Sequence, residues 1–226
     1  MSLNKTKCDP ELGREVHEHL VRMGVETPTI ETALSRTDKI NIIETKFADI
    51  MRTMGLDLSD DSLTETPKRV AKMFVQELFY GLDWDNFPKC TTVENKMSYD
   101  EMVCERNVAI KSACEHHFVI IDGLATVAYI PNKKVLGLSK LNRICDYFAR
   151  RPQIQERLTE QVYHALSYIL ETDNVAVVIH GKHYCVSHRG AEDDCSSTIT
   201  SKLGGAFKSD PMARAEFMKM VDLRDI

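Results

Sequence analysis

The sequence predicts an α+β fold, with helices first and an antiparallel sheet after them. Three observations carry this expectation. Apolar residues recur at helical spacing through the first third of the chain, and from Met102 the texture turns to β. The later segments then run strand–strand–helix–helix–strand–strand before a last helix, whereas a parallel sheet would alternate strand and helix. The composition divides the chain into an N-terminal helical region, residues 1–82, and a sheet-bearing region, residues 83–226, expected to work as one unit.

The first helix, over residues 10–24, carries Leu12, Val16, Leu20 and Val21 on one face and stops at Gly24. A polar joint from Glu26 to Asp38 leads to a second helix near 38–54. Its stripe is Ile40, Ile42, Ile43, Phe47, Ile50, Met51 and Met54, and Gly55 ends it. A third helix is expected to start at Thr66-Pro67, an N-cap residue followed by proline, and to run through Val70, Met73, Phe74 and Leu78 to Gly81. Residues 83–100 read as a loop. Met102 to Ser112 and Phe118 to Ile130 read as strands, with Gly123 expected at a bend or bulge and Pro131 closing the second. One helix is expected from an N-cap at Ser139, with Leu141, Ile144, Cys145 and Phe148 inward; the next follows Pro152 through Ile169. Asn174 to Val186 is a strongly apolar strand, Ser196 to Thr200 a weaker one, and residues 211–221 a final helix.

Composition excludes several classes. With 226 residues, 43% hydrophobic and 28% charged, the chain suits a globular protein. Its net charge of −5 argues against electrostatic binding to nucleic acid. No apolar run approaches a membrane span, and residues 1–10 lack the apolar core of a secretory signal, so no membrane partner and a cytoplasmic location are expected. Seven cysteines at irregular spacing do not form a disulfide framework. Cys145, on an apolar helix face, and Cys8, in an expected mobile tail, read as chemically idle.

The chemistry concentrates in two short stretches, Cys114-Glu115-His116-His117 and His183-Tyr184-Cys185. Thiolate and imidazole together favour zinc, and three protein ligands with an open fourth position mark a catalytic rather than a structural ion. On a strand, His183 and Cys185 would face the same way. Strict alternation would pair Cys114 with His116, whereas a turn would pair it with His117, and periodicity does not choose between them. Elsewhere, Ser139, Lys140 and Arg143 at a helix start suit a phosphate. Arg189 adds a further cation, as do Arg69 and Lys72, one turn apart where a helix dipole disfavours positive charge. Gln155-Glu156 opens the next helix, with a carboxylate able to accept bonds from a guanidine-like edge.

Together these stretches resemble type I GTP cyclohydrolase. The likeness rests on Cys114-Glu115-His116-His117-Phe118, Gly137-Leu138-Ser139-Lys140, Arg150-Arg151-Pro152-Gln153-x-Gln155-Glu156-Arg157-Leu158-Thr159 and His183-Tyr184-Cys185, and also on Glu65-Thr66-Pro67-x-Arg69-Val70-Ala71-Lys72-Met73. It runs from about residue 38 to the C-terminus. The resemblance implies a T-fold of ββααββ order with a helical extension, whose sheets join into a barrel in a decamer with active sites shared between subunits. It implies zinc-dependent conversion of GTP and water to 7,8-dihydroneopterin triphosphate and formate. Cys114, His117 and Cys185 would hold zinc, which would lower the pKa of a water for attack at C8. His183 would protonate the purine, and His116 would act as acid/base around the ribose ring oxygen. Glu156, helped by Gln155, would read the guanine edge. Ser139, Lys140, Arg143, Arg189, Arg69 and Lys72 would hold the triphosphate, Ser139 also assisting the ribose rearrangement.

One stretch departs from the family pattern. After Arg189-Gly190 comes Ala191-Glu192-Asp193-Asp194-Cys195, where the family usually has a branched apolar residue and few acids. This charge would oppose anion binding unless it points away or is paired. Two alternatives are a non-catalytic, zinc-stabilised scaffold and a relative acting on a different purine. A zinc nucleobase deaminase is disfavoured, because the P-C-x-x-C half of its signature is missing.

Overall fold

The computed structural model describes residues 3–222. Helix α1 (Pro10–Met23) is capped by the Asp9 side chain, which accepts from Leu12 N at 3.1 Å, and ends at Gly24 in the left-handed region. It buries Gly13, Val16 and Leu20. A Cβ at Gly13 would lie 2.1 Å from Trp84 O, so the absent side chain lets the backbone of residues 84–86 close on the helix. Helix α2 (Arg36–Thr53) starts with a reciprocal capping box between Ser35 and Asp38. Of its expected stripe only Met51 is buried, while Ile42, Ile50 and Met54 are exposed.

Helix α3 (Thr66–Met73) takes Glu65, not Thr66, as its N-cap, with no side-chain cap bond. Thr66 is already inside the helix, because its N–H bonds to Leu63 O in the preceding turn. The expected continuation to Gly81 is broken up: Phe74–Leu78 widens into a π-turn, and Tyr80–Leu82 tightens into a 3₁₀ turn. Tyr80 O–H donates to Asp146 at 2.5 Å, and Gly81 N–H to Arg150 O at 2.9 Å. These bonds pull the segment off the helical path. Cys8 is not in a loose tail, since it forms a β-bridge with Pro88.

The main sheet has five strands in the order β5-β2-β3-β6-β7. They are β2 (Val103–Cys114), β3 (Ile120–Tyr129), β5 (Pro152–Gln153), β6 (Val175–His183) and β7 (Thr198–Leu203). All neighbours are antiparallel except β5 with β2. A small second sheet pairs β1 (Thr92–Glu94), inside the expected loop, with β4 (Lys134–Leu136). Segments of two or three residues, like β1, β4 and β5, carry no periodicity to read. Gly123 is not a bulge, for it pairs with both Ile110 and Gly181 in unbroken register. The irregularity lies between Glu105 and Val108, where Asn107 has positive φ.

Helices α4 (Leu138–Ala149) and α5 (Gln155–Leu170) cover one face of the sheet. Leu141, Ile144, Phe148, Leu158, Val162 and Leu166 meet Ile110, Val127, Tyr129, Val177 and Ile179 there. Gly137 occupies the N-cap of α4, so Ser139 sits within the first turn and caps nothing. On the opposite face, helices α7 (Gly205–Ser209) and α8 (Pro211–Asp222) bring Phe207 and Phe217 against Ala128, Ala176 and Val178.

Candidate metal centre and active site

Strand β2 ends at Cys114, and the chain turns back at once. Phe118 N–H donates to Cys114 O at 2.8 Å, and Cys114 N–H to Val119 O at 2.8 Å. Residues 115–117 are thereby folded into a tight turn that ends in Phe118 at φ +54°. The turn removes strict alternation, and with it the reason to pair Cys114 with His116. Both rings come near the sulfur, with Nδ1 of His116 at 3.7 Å and of His117 at 3.8 Å from Cys114 Sγ. His117 alone of the two completes a cluster: ligand atoms of Cys114, His117 and Cys185 all lie within 4.8 Å of one another.

Cys185 arrives differently from the expectation. Strand β6 stops at His183, and residues 184–187 form the single helical turn α6 (Tyr184–Ser187). The sheet cannot extend further, because Ile121, the partner of His183, is the second residue of β3. Helical rotation, not strand alternation, sets the direction of Cys185. Burial raises its thiol pKa, and the facing Cys114 raises it further. Two thiols and an imidazole in this arrangement fit a zinc ion. Tetrahedral bonds of about 2.3 Å to sulfur and 2.0 Å to nitrogen imply a sulfur–nitrogen separation of roughly 3.5 Å, close to that found between Cys114 and His117.

His183 is held by Gln155. The Gln155 amino group donates to Ile179 O and Thr198 O at 3.0 Å and to Thr200 Oγ1 at 3.1 Å, which fixes its orientation because both carbonyls only accept. Its Oε1 must then accept from His183 Nε2, at 2.8 Å, leaving Nδ1 as the free ring nitrogen. Burial lowers the His183 pKa, and the charge of Glu156, beside it on the first turn of α5, opposes this. Gln155 is thus buried and already engaged.

Arg189 reaches the same end of the sheet, with Nη1 2.8 Å from His117 Nε2. The acidic run that follows is exposed, with one of its carboxylates engaged by its own loop. Asp193 accepts from Cys195 N and Ser196 N, which lowers its pKa, and Asp194 O takes the Lys182 ammonium at 3.0 Å. Helix α3, with Arg69 and Lys72, is tied to the Cys114 turn through aromatic contacts. Phe118 packs on Phe79 at 5.1 Å and on Phe74 at 6.0 Å between centroids.

Ser139, Lys140 and Arg143 are not brought to this site within one chain. They open α4 just after Leu136, whose backbone bonds to the Tyr129 hydroxyl at the far end of β3. Tyr129 pairs with Val175, and Ile121 with His183. Eight residues of strand separate the two ends, about 26 Å at 3.3 Å per residue. Lys140 and Arg143 instead lie near Cys90, offsetting part of the burial that pushes this thiol up to about 12.

Several residues at the site were not legible as functional from sequence. Arg157 and Glu115 sat inside recognised motifs without roles, and they form an ion pair at 2.5 Å. Their opposite charges in two adjacent motifs were the only signal. Phe74 reads as a core residue of a continuous helix, and the π-turn that it opens has no sequence signature.

Comparison with known proteins agrees with this geometry. A family model described as GTP cyclohydrolase I matches residues 43–222. GTP cyclohydrolase 1 of Edwardsiella ictaluri is 55% identical over 206 residues, covering 91% of this chain and 94% of the relative. That of Shewanella amazonensis is 54% identical over 208 residues, covering 92% and 96%. That of Shewanella loihica is 53% identical over 208 residues, covering 92% and 97%. The Cys114–His117–Cys185 cluster lies within the matched span, and the chain belongs to the GTP cyclohydrolase I family.

Proposed function

We propose that the protein converts GTP and water to 7,8-dihydroneopterin triphosphate and formate at a zinc centre held by Cys114, His117 and Cys185. The observation that carries this reading is the convergence of that cluster with a histidine, His183, whose tautomer is fixed. When bound, zinc supplies the Lewis acidity that lowers the pKa of a water toward neutrality.

The chain's own residues do the rest. His183, protonated at Nδ1, gives this proton to the purine imidazole while Nε2 stays on Gln155 Oε1. Burial disfavours the charged ring, and the Glu156 carboxylate opposes this and so favours the protonated form that the step needs. His116, exposed on the same turn, serves as acid/base around the ribose ring oxygen. The Glu156 carboxylate accepts from the guanine N–H edge, and Gln155 supports recognition by orienting its neighbour. Arg189, Arg69 and Lys72 hold the triphosphate from this chain.

Ser139, Lys140 and Arg143 complete the clamp from a neighbouring subunit, Ser139 also assisting the ribose rearrangement. Their distance from His183 within one chain supports a shared site, and hence a T-fold oligomer, with a decamer as the family's arrangement. Among the described residues no helix is long and apolar enough to cross a membrane; a cytoplasmic location is part of the proposal.

The test is direct. Zinc-loaded protein is incubated with GTP and assayed for formate and, after oxidation, for a fluorescent pterin. Absence of both at full zinc occupancy rejects the reading. His183→Ala is expected to keep its zinc and lose turnover; loss of the metal instead would overturn the ligand assignment.

A further inference from the structure

Glu115 stands between the cysteine and the two histidines of the site, and its carboxylate reaches helix α5 with one oxygen while the other stays near His116. Its Oε2 accepts from Arg157 Nη1 at 2.5 Å, with the side chains only 25% and 17% exposed. Its backbone N–H donates to Gln153 O at 3.0 Å, in the short strand that leads into the same helix. The other carboxylate oxygen lies 4.0 Å from His116 Nε2. Arg157 is the third residue of α5, where the helix dipole disfavours a cation. A cation kept at that place needs an acid facing it, and Glu115 is that acid. Two residues earlier on the same helix, Gln155 holds His183. One helix start therefore grips both halves of the site, one through Gln155 and the other through Arg157.

We propose that Glu115, gripped by Arg157, is a positioning residue that fixes the turn bearing His116 and His117 relative to His183 and Cys185. The proposal rests on the metal-centre reading above and extends it to a residue outside the ligand set. The turn has a built-in reason to need such a grip. Phe118, its last residue, holds a left-handed backbone that is strained for a non-glycine residue. Without an anchor at Glu115 the turn relaxes, and His117 leaves the two sulfurs.

The test uses Co²⁺ titration of the apoprotein, followed by thiolate-to-metal absorption, alongside steady-state kinetics on GTP for the zinc-loaded protein. Glu115→Ala and Arg157→Ala are each expected to weaken Co²⁺ binding and lower kcat by about 10–100-fold, as losses of groups supporting metal ligands do. The KM for GTP should move far less. The double variant should be no worse than the worse single one, because both remove the same contact. Additive losses, or a change confined to melting temperature, would overturn the proposal. If Glu115→Ala does not fold, Glu115→Gln keeps an acceptor for Arg157 and should show a smaller loss in the same two readouts; wild-type values there also overturn it. Because Co²⁺ affinity is read without substrate, an enzyme inactive on GTP rejects the functional reading while leaving this test intact.

Discussion

Gly181 has no Cβ, and the space such an atom would fill is taken by Gln155 Oε1, which would lie 2.6 Å from it. This is the oxygen that accepts from His183. Gly181→Ala must therefore displace the Gln155 amide, and through it the imidazole. Turnover should fall roughly 10–100-fold, since a misplacement near 1 Å has that effect on a reacting group. Zinc content should stay at the wild-type level, because the ligands Cys114, His117 and Cys185 do not touch the displaced amide. A crystal structure and a kcat measurement on the same variant check both statements. Asp193 shows a different residue-scale lesson. The sequence counts its charge against the Arg189 clamp, but the carboxylate is engaged by two backbone amides of its own loop.

Between elements, the surroundings of α1 hold a buried ion pair and a half-buried pair of histidines. After α1 the chain places Glu26 on Arg151, which is 4% exposed and also bonds Thr27 and the Tyr147 hydroxyl. Glu26→Ala leaves a buried guanidinium without its anion and should cost about 3–5 kcal/mol in urea unfolding. The joint of α1 with α5 stacks His19 of α1 near His164 of α5, with centroids 5.9 Å apart, and near Tyr168 at 5.1 Å. Burial lowers both histidine pKa values; Arg22 adds to it at His19, while Glu160 opposes it at His164 against Lys202. Lowered folded pKa values mean that the unfolded chain binds more protons as pH falls below about 6.5. The stability that the neutral pair contributes is complete above that pH, and it is lost as pH falls through the folded values. The urea midpoint should drop between pH 7.5 and 5.5, and a His19→Gln/His164→Gln variant should show a flatter profile.

For the molecule as a whole, the sheet separates two groups that the proposed chemistry requires together. The Cys114–His117–Cys185 cluster and His183 lie at one end, and Ser139, Lys140 and Arg143 at the other. If neighbouring subunits complete each site, His183→Ala and Lys140→Ala are each inactive alone, yet regain a measurable fraction of activity when assembled together. Mixed oligomers then contain sites whose contributing chains are both intact at the relevant position. Lack of any recovery in mixed oligomers would show that each chain works with its own residues. The exposed apolar residues Ile42 and Ile50 on α2, Met54 at its C-terminal cap and Ile199 on β7 give such an assembly surfaces to bury.

The sequence alone determined the succession of long elements, because helical and strand periodicities persist over eight or more residues there. It also pointed to a metal-compatible centre, because clustered thiols and imidazoles at such spacing suit a borderline-soft ion, and the structure gathers Cys114, His117 and Cys185 accordingly. Periodicity leaves open which histidine joins the sulfurs and the resemblance names His117; the tertiary structure supplies the physical reason. That choice depends on a turn closed by the Phe118–Cys114 bond and on a strand that ends one residue before Tyr184. Only the tertiary structure decided that Gln155 holds His183 and that Glu115 holds Arg157. Both contacts join residues 28 or more positions apart, and their geometry comes from packing a helix start against strand ends, which local patterns of side chains do not encode.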